Sequence, residues 1–250
     1  MEKKVCIVTG AARGIGLATS RLFHSHGYEV VMVDRDFIEL EKNSKSMEHT
    51  YVLDCDVSIP EQVSELFDKV QNKYRRLNCL VNNAGVAEFG PIESVSYSDW
   101  RRVMATNLDG VFLCSQAAIP MLKNSKGSIV NIASISGLRA STLRVSYGTS
   151  KAAVIQLSKQ QAVELGEYSI RVNCVAPGPV KTKLAMAVHT QEIINAYHDA
   201  IPLNRYGSEE EIGNLIYFLC SDKASYITGQ LVAADGGFDS TGVGLPALRC

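Results

Sequence analysis

The chain has 250 residues, 46% of them hydrophobic and 20% charged, with a formal net charge of -1. That length and balance suit a soluble α/β unit large enough to bury a core without staples. The near-neutral charge gives no electrostatic reason to expect nucleic acid or an anionic membrane as a partner.

Taken in order, short β-branched runs alternate with amphipathic stretches. Residues 5–9, 29–34, 51–53, 79–82, 128–133, 171–175 and 231–234 are expected as strands, each apolar along nearly its whole length, as parallel strands covered on both faces are. Residues 15–26, 38–47, 60–74, 100–123, 146–166 and 208–221 are expected as helices. Pro60 marks a first turn after Ser58, and Glu61 and Glu65 complement the helix N-terminus. This repetition predicts a Rossmann-type, doubly wound parallel sheet of about seven strands with helices on both faces, as one domain over 1–250. Residues 182–204 interrupt the rhythm and are expected above the carboxyl ends of the strands, as a substrate lid.

The first strand starts too early to leave room for a signal peptide, and no apolar run reaches membrane-spanning length. Seven cysteines include no C-x-x-C pair, and Cys6, Cys79, Cys114 and Cys174 sit in apolar runs. Reduced buried thiols in a cytoplasmic protein without a metal site are expected.

Gly10, Gly14 and Gly16 lie between the first strand and the helix that begins near Ile15. Glycines there allow a tight turn whose backbone N–H groups approach a pyrophosphate at a helix N-terminus. The spacing is G-x-x-x-G-x-G, not G-x-G-x-x-G. Asp34 ends the second strand, where a carboxylate accepts hydrogen bonds from the adenine ribose and repels a 2′-phosphate. Arg13 and Arg35 oppose that preference, since guanidinium groups accommodate phosphate. The balance favours NAD over NADP, with Asp36 as the better helix cap and Asp56-Val57 as a candidate adenine edge.

Tyr147 and Lys151 are four apart on an expected helix and share a face. An ammonium beside a phenol is expected to lower the phenol's pKa and make Tyr147 a general acid/base. Ser134 follows the fifth strand and is placed to donate a hydrogen bond to the same substrate oxygen. Asn107, expected at the start of the long helix after Trp100, is a candidate anchor for a proton-carrying water. This constellation points to hydride transfer between a nicotinamide cofactor and a carbonyl or alcohol.

These residues together give the chain its resemblance to the classical short-chain dehydrogenase/reductase family over essentially residues 3–237. The carrying motifs are T-G-A-A-R-G-I-G (9–16), D-V (56–57), N-N-A-G (82–85), Asn107, Ser134, Y-G-T-S-K (147–151) and P-G-P-V-K-T (177–182). Ser134 and Tyr147 are also separated as is typical of that family. The resemblance implies Tyr147 as acid/base, Ser134 as the group orienting the carbonyl, Lys151 on the nicotinamide ribose and Asn107 in a water relay. It further implies that Gly10, Arg13, Gly14, Ile15, Gly16, Asp34, Arg35, Asp56 and Val57 line the dinucleotide. Asn83, Ala84 and Gly85 would brace the strand beside it, and Pro177, Gly178, Val180 and Thr182 would contact its nicotinamide end. Dimers or tetramers are implied too, and residues 238–250 are expected to reach a neighbouring subunit's site.

Candidate walls of the substrate pocket are 86–89, 135–144 and the lid. Arg139 or Arg144 could face an anionic group, and His189 is expected to face solvent. The polar lid favours a small polar alcohol such as a sugar, polyol or hydroxy acid. The expected activity is an NAD-dependent secondary alcohol dehydrogenase, with an NADPH-dependent 3-oxoacyl-thioester reductase as the alternative and a non-catalytic dinucleotide-binding regulator as a weaker one.

Overall fold

Successive strand residues feed two separate cores, because side chains alternate across a sheet. Val5, Ile7, Val31 and Val33 pack on one face with Val63, Phe67, Cys114 and Ala162. Cys6, Val8, Val30 and Met32 pack on the other with Leu17, Phe23, Leu40 and Ile216. A computed structural model describes residues 3–242. Its strands are β1 (Val5–Thr9), β2 (Glu29–Asp34), β3 (Tyr51–Asp54), β4 (Cys79–Asn82), β5 (Ser128–Ile132), β6 (Arg171–Pro177) and β7 (Leu231–Ala234). They form one sheet in the order β3-β2-β1-β4-β5-β6-β7. Every pairing is parallel, as in Ile7 opposite Val31 and Leu80. The doubly wound reading therefore holds.

The helices are α1 (Gly14–Ser25), α2 (Phe37–Ser44), α3 (Pro60–Tyr74), α4 (Tyr97–Met104), α5 (Gly110–Ser125), α6 (Val145–Leu165), α7 (Lys183–Val188), α8 (Gln191–Ala200) and α9 (Glu209–Cys220). Helices α1, α2 and α9 cover one face, while α3, α5 and α6 cover the other. Asp36 caps α2 by accepting from Glu39 N, as expected. Pro60 opens α3 behind Ile59, which makes no side-chain cap. Ser208 and Glu211 form a reciprocal capping box on α9, and Arg205 pairs with the same Glu211.

One expectation needs correction. The long helix over 100–123 is two helices, α4 and α5, joined by a π-helical turn over Ala105–Asp109. The 182–204 segment carries two helices, α7 and α8, since Thr190 caps α8 through Ile193 N and so ends the run begun in α7. The cysteines follow the expectation where described: Cys6, Cys55, Cys79, Cys114, Cys174 and Cys220 are free and buried. No helix among the described residues is long and apolar enough to cross a membrane, and no group of metal-binding side chains occurs among them.

Strand order reverses at β1, so the crevice between the carboxyl ends of β1 and β4 is where a doubly wound sheet receives its ligand.

Candidate active site

The glycine turn after β1 is built from backbone that tolerates no other residue. Gly10 has φ 65°, and a Cβ on Gly16 would sit 2.1 Å from Gly10 O. Asn83 locks this turn to β4: its Nδ2 donates to Thr9 O at 3.0 Å and Gly10 O at 3.1 Å. Thr9 Oγ1 in turn accepts from the N–H groups of Asn83 and Ala84. The threonine was visible in the 9–16 motif, but its bracing of two amides depends on β1 and β4 being neighbours.

Arg13 stands at the N-cap of α1 without a side-chain cap, and the first turn carries no acid. The positive end of α1 is therefore open to an anion. Half-buried Ile15 packs towards the α1 core, and Thr182 comes close to Gly14: a Cβ there would lie 3.9 Å from Thr182 Cγ2. Thr182 also caps α7 through Ala185 N, while Gly178 N is tied to Ala234 O. The segment 177–182, with Pro177 and Val180 buried, thus closes over the glycine turn from the far side. These features fit a bound dinucleotide: an open helix N-terminus, glycines a Cβ would disrupt, and a flanking wall.

Asp34 is engaged at both oxygens, accepting from Ala12 N and Asp36 N at 3.0 Å each. Arg13 pairs with Asp36, and Arg35 pairs with Asp56 at 3.4 Å. The Ser58 N–H, Ser58 hydroxyl and Arg35 hold the Asp56 carboxyl below its usual range against the opposing effect of burial. Val57 is buried, close to Gly110 at the start of α5. Both arginines in this corner are thus already neutralised by carboxylates.

Across the crevice, Ser134 caps a 3-10 turn (Ile135–Gly137) and Tyr147 and Lys151 project from α6. Lys151 is buried and donates to Ile132 O at 2.8 Å, with its Nζ 5.8 Å from the centre of the Tyr147 ring. Burial lowers the Lys151 pKa to about 8. The expectation for Tyr147 needs correction: burial raises its pKa, opposed by hydrogen bonding with Ser134 and the nearby charge of Arg144. The Lys151 ammonium turns towards Ile132 O, so it does not hold the phenol down.

Asn107 is not at a helix start but inside the π turn, fully buried. A π turn displaces the chain by one residue and is common at functional sites. Here Asn107 Oδ1 accepts from Val86 N at 2.8 Å, while its Nδ2 donates to Val86 O and Ser150 Oγ. Ser150 Oγ donates to Tyr147 O at 2.7 Å, which couples Asn107 to the Tyr147 turn. A Cβ on Gly85 would lie 3.4 Å from both Asn107 Oδ1 and Lys151 Nζ, so these two groups flank the same point of the chain. Ser150 lies within the 147–151 motif, yet nothing in its spacing announces this linking role.

Between α7 and α8, His189 is not simply solvent-facing. Its Nδ1 lies 3.0 Å from Tyr206 Oη, and its ring stacks on Tyr197. Phe238 also packs on Tyr197 and, with Thr241, accepts from Arg139. The tail's first residues therefore contact their own chain, while 243–250 lie outside the described residues.

The family model described as enoyl-(acyl carrier protein) reductase matches residues 10–239. The chain belongs to the short-chain dehydrogenase/reductase family. It is 40% identical to a 3-oxoacyl-[acyl-carrier-protein] reductase of Thermotoga maritima, over 95% of this chain and 98% of the relative. It is 36% identical to meso-2,3-butanediol dehydrogenase of Serratia marcescens, over 94% of each chain. It is also 36% identical to trans-4-hydroxycyclohexanecarboxylate dehydrogenase of Sinomonas cyclohexanicum, over 95% and 93%. The crystal structure of gox2181 superposes with a TM-score of 0.93 at 30% identity, covering 96% of this chain and 97% of that one. As a short-chain dehydrogenase/reductase, the chain is an oxidoreductase that interconverts secondary alcohols and ketones with a nicotinamide dinucleotide.

Proposed function

We propose that this short-chain dehydrogenase/reductase is an NAD-dependent dehydrogenase of a small polar secondary alcohol, working reversibly. The carrying observation is the Asp34 corner. Its two arginines are each paired with a carboxylate, so two cations face three carboxylates, Asp34, Asp36 and Asp56. A 2′-phosphate there would meet a net negative corner, whereas ribose hydroxyls would meet acceptors.

Gly10, Gly14, Gly16 and the α1 N-terminus would hold the pyrophosphate, and Lys151 the nicotinamide ribose. The bound nicotinamide supplies the acceptor or donor of hydride at the carbinol carbon. The chain's own residues manage the proton. Ser134 donates a hydrogen bond to the substrate oxygen, and Tyr147 takes the hydroxyl proton in oxidation and returns it in reduction. Lys151, near pKa 8, exchanges a proton close to neutral pH. Asn107 acts through Ser150 and Val86, keeping the Tyr147 turn and the Lys151 surroundings in place. The butanediol and hydroxycyclohexanecarboxylate relatives support a small hydroxylated substrate.

The exposed side chains Phe112 on α5 and Val163 on α6 support assembly through these helices into a dimer or tetramer. The free buried thiols suit a reducing cytoplasm. A second reading, a 3-oxoacyl-thioester reductase using NADPH, draws on the Thermotoga relative. The test is NADH formation from NAD with polyols, sugars and hydroxy acids, run beside NADP and beside NADPH oxidation with acyl-thioesters. Turnover with NAD on the alcohols supports the first reading, and turnover confined to NADPH and thioesters replaces it with the second.

A further inference from the structure

Two arginines lie between Ser134 and Tyr147, and the fold gives them different surroundings. Arg139 is spent on the tail: its Nη1 donates to Phe238 O at 2.8 Å and Thr241 O at 3.2 Å. Arg144 stands immediately before α6, half-buried, with its guanidinium carbon 4.7 Å from the centre of the Phe89 ring and 5.7 Å from that of Tyr147. Among the described residues it forms no ion pair. The acid beside Phe89, Glu88, is taken by Arg102.

The backbone that carries Arg144 is strained and tethered. Leu143 has φ 62°, a left-handed conformation unusual for a leucine. Its carbonyl accepts from Gly90 N at 3.1 Å, and Arg144 itself bridges to Gly90. These ties join the start of α6 to the 86–90 wall of the pocket. Such strain gathers where a side chain must be aimed, at ligand clamps and active sites. The charge of Arg144 reaches the lid as well, since with burial it keeps the His189 imidazole below its usual pKa.

A half-buried guanidinium with aromatic rings around it and no counter-ion is electrostatically incomplete. Its planar fork matches a carboxylate in two hydrogen bonds. We propose that Arg144 is the subsite for a carboxylate carried by the substrate, so that the substrate class is a short-chain hydroxy acid and its oxo acid. This rests on the dehydrogenase reading above and narrows it. The nearness of Arg144 to Tyr147 places the carboxylate a few bonds from the carbinol carbon, which favours a compact acid over a long acyl carrier whose phosphate is remote from the reacting carbon.

The experiment compares four- to six-carbon 2- and 3-hydroxy acids with their methyl esters and with neutral secondary alcohols of the same skeleton, in the wild type, Arg144→Gln and Arg144→Lys. The wild type should prefer the acids, and Arg144→Gln should lower kcat/KM for them by about a hundredfold, mainly through KM, as loss of a charged bidentate contact predicts. Whatever the lost charge does to Tyr147 is shared by every substrate, so the loss on the neutral alcohols should be at least about tenfold smaller than that on the acids, and Arg144→Lys should restore part of the difference. A parallel readout is binding of succinate, which carries no oxidisable hydroxyl, to the NADH complex, followed by NADH fluorescence. Arg144→Gln should abolish it.

Equal turnover of acids and esters, or equal loss on both in Arg144→Gln, overturns the carboxylate subsite while leaving the dehydrogenase reading intact. Arg144-dependent turnover seen only with phosphopantetheine thioesters overturns it too, by assigning the cation to phosphate. No turnover of any alcohol refutes the dehydrogenase reading, and succinate binding that needs Arg144 would then still uphold the anion subsite.

Discussion

The crevice proposed for the cofactor and the mouth proposed for the substrate share one sheet but are built by different means. Around Gly10, Gly16, Asn83 and Asp34 the contacts are mostly main-chain groups at strand ends, fixed by the register of β1, β2 and β4. Around Arg144, Phe89 and His189 they are side chains from three loops and the α7–α8 segment. The first kind of site tolerates almost no change of residue, since a single Cβ collides with backbone. The second can be re-aimed by exchanging side chains, and so one scaffold serves relatives named for a 3-oxoacyl-[acyl-carrier-protein], a butanediol and a cyclic hydroxy acid.

The largest expected effect tests whether chemistry and cofactor binding separate. Tyr147→Phe should lower kcat by about a thousandfold, the scale of general acid/base catalysis, with NAD affinity within about threefold by fluorescence titration. A comparable loss of NAD affinity would merge the two regions. Next, Gly16→Ala strikes the crevice alone: its Cβ has nowhere to go, and overpacking against backbone should cost about 1–3 kcal/mol of stability. NAD affinity in that variant should fall at least about tenfold, because the pyrophosphate turn is displaced. Asp34→Ala should narrow the preference for NAD over NADP by about tenfold while leaving the substrate KM unchanged. An unchanged preference would move the determinant elsewhere.

The smallest effect is a pH dependence of folding. Burial holds Lys151 near pKa 8 in the folded chain, below its ordinary 10.5. Between those values the unfolded chain binds more protons, so this residue makes stability rise with pH across that window. Against Lys151→Met, which cannot titrate, the wild type should gain relative stability in urea melts from pH 7.5 to 9.5, up to about 3 kcal/mol over the full shift. A flat difference would mean the lysine is solvated in the folded protein.

Features set by neighbouring residues were legible in the sequence, and those set by long-range contacts were not. Buried parallel strands are continuous apolar runs, so β1, β2 and β4 appear at the residues expected, as does the apolar but only partly buried edge strand β7. The glycine turn and the Tyr147–Lys151 pair are local in sequence, and their placement follows from strand-turn-helix order. The π turn at Asn107 was not legible, since a five-residue change of winding leaves no hydrophobic pattern. Nor was the break between α7 and α8 at Thr190, a cap that competes with a helix-prone stretch. The direction of the Tyr147 shift depends on where the Lys151 ammonium points, and Ile132 O is nineteen residues from that lysine in the sequence. Likewise, only the folded loops tell the tail-bound Arg139 from the uncompensated Arg144.

The most direct test of the central claim follows the hydrogen itself. A secondary hydroxy acid or diol deuterated at the carbinol carbon is oxidised with NAD, and the reduced cofactor is weighed by mass spectrometry. The account predicts one deuterium in the reduced cofactor from the wild type and virtually no product from Tyr147→Phe. Reduced cofactor without deuterium, or full turnover by the phenylalanine variant, would contradict it.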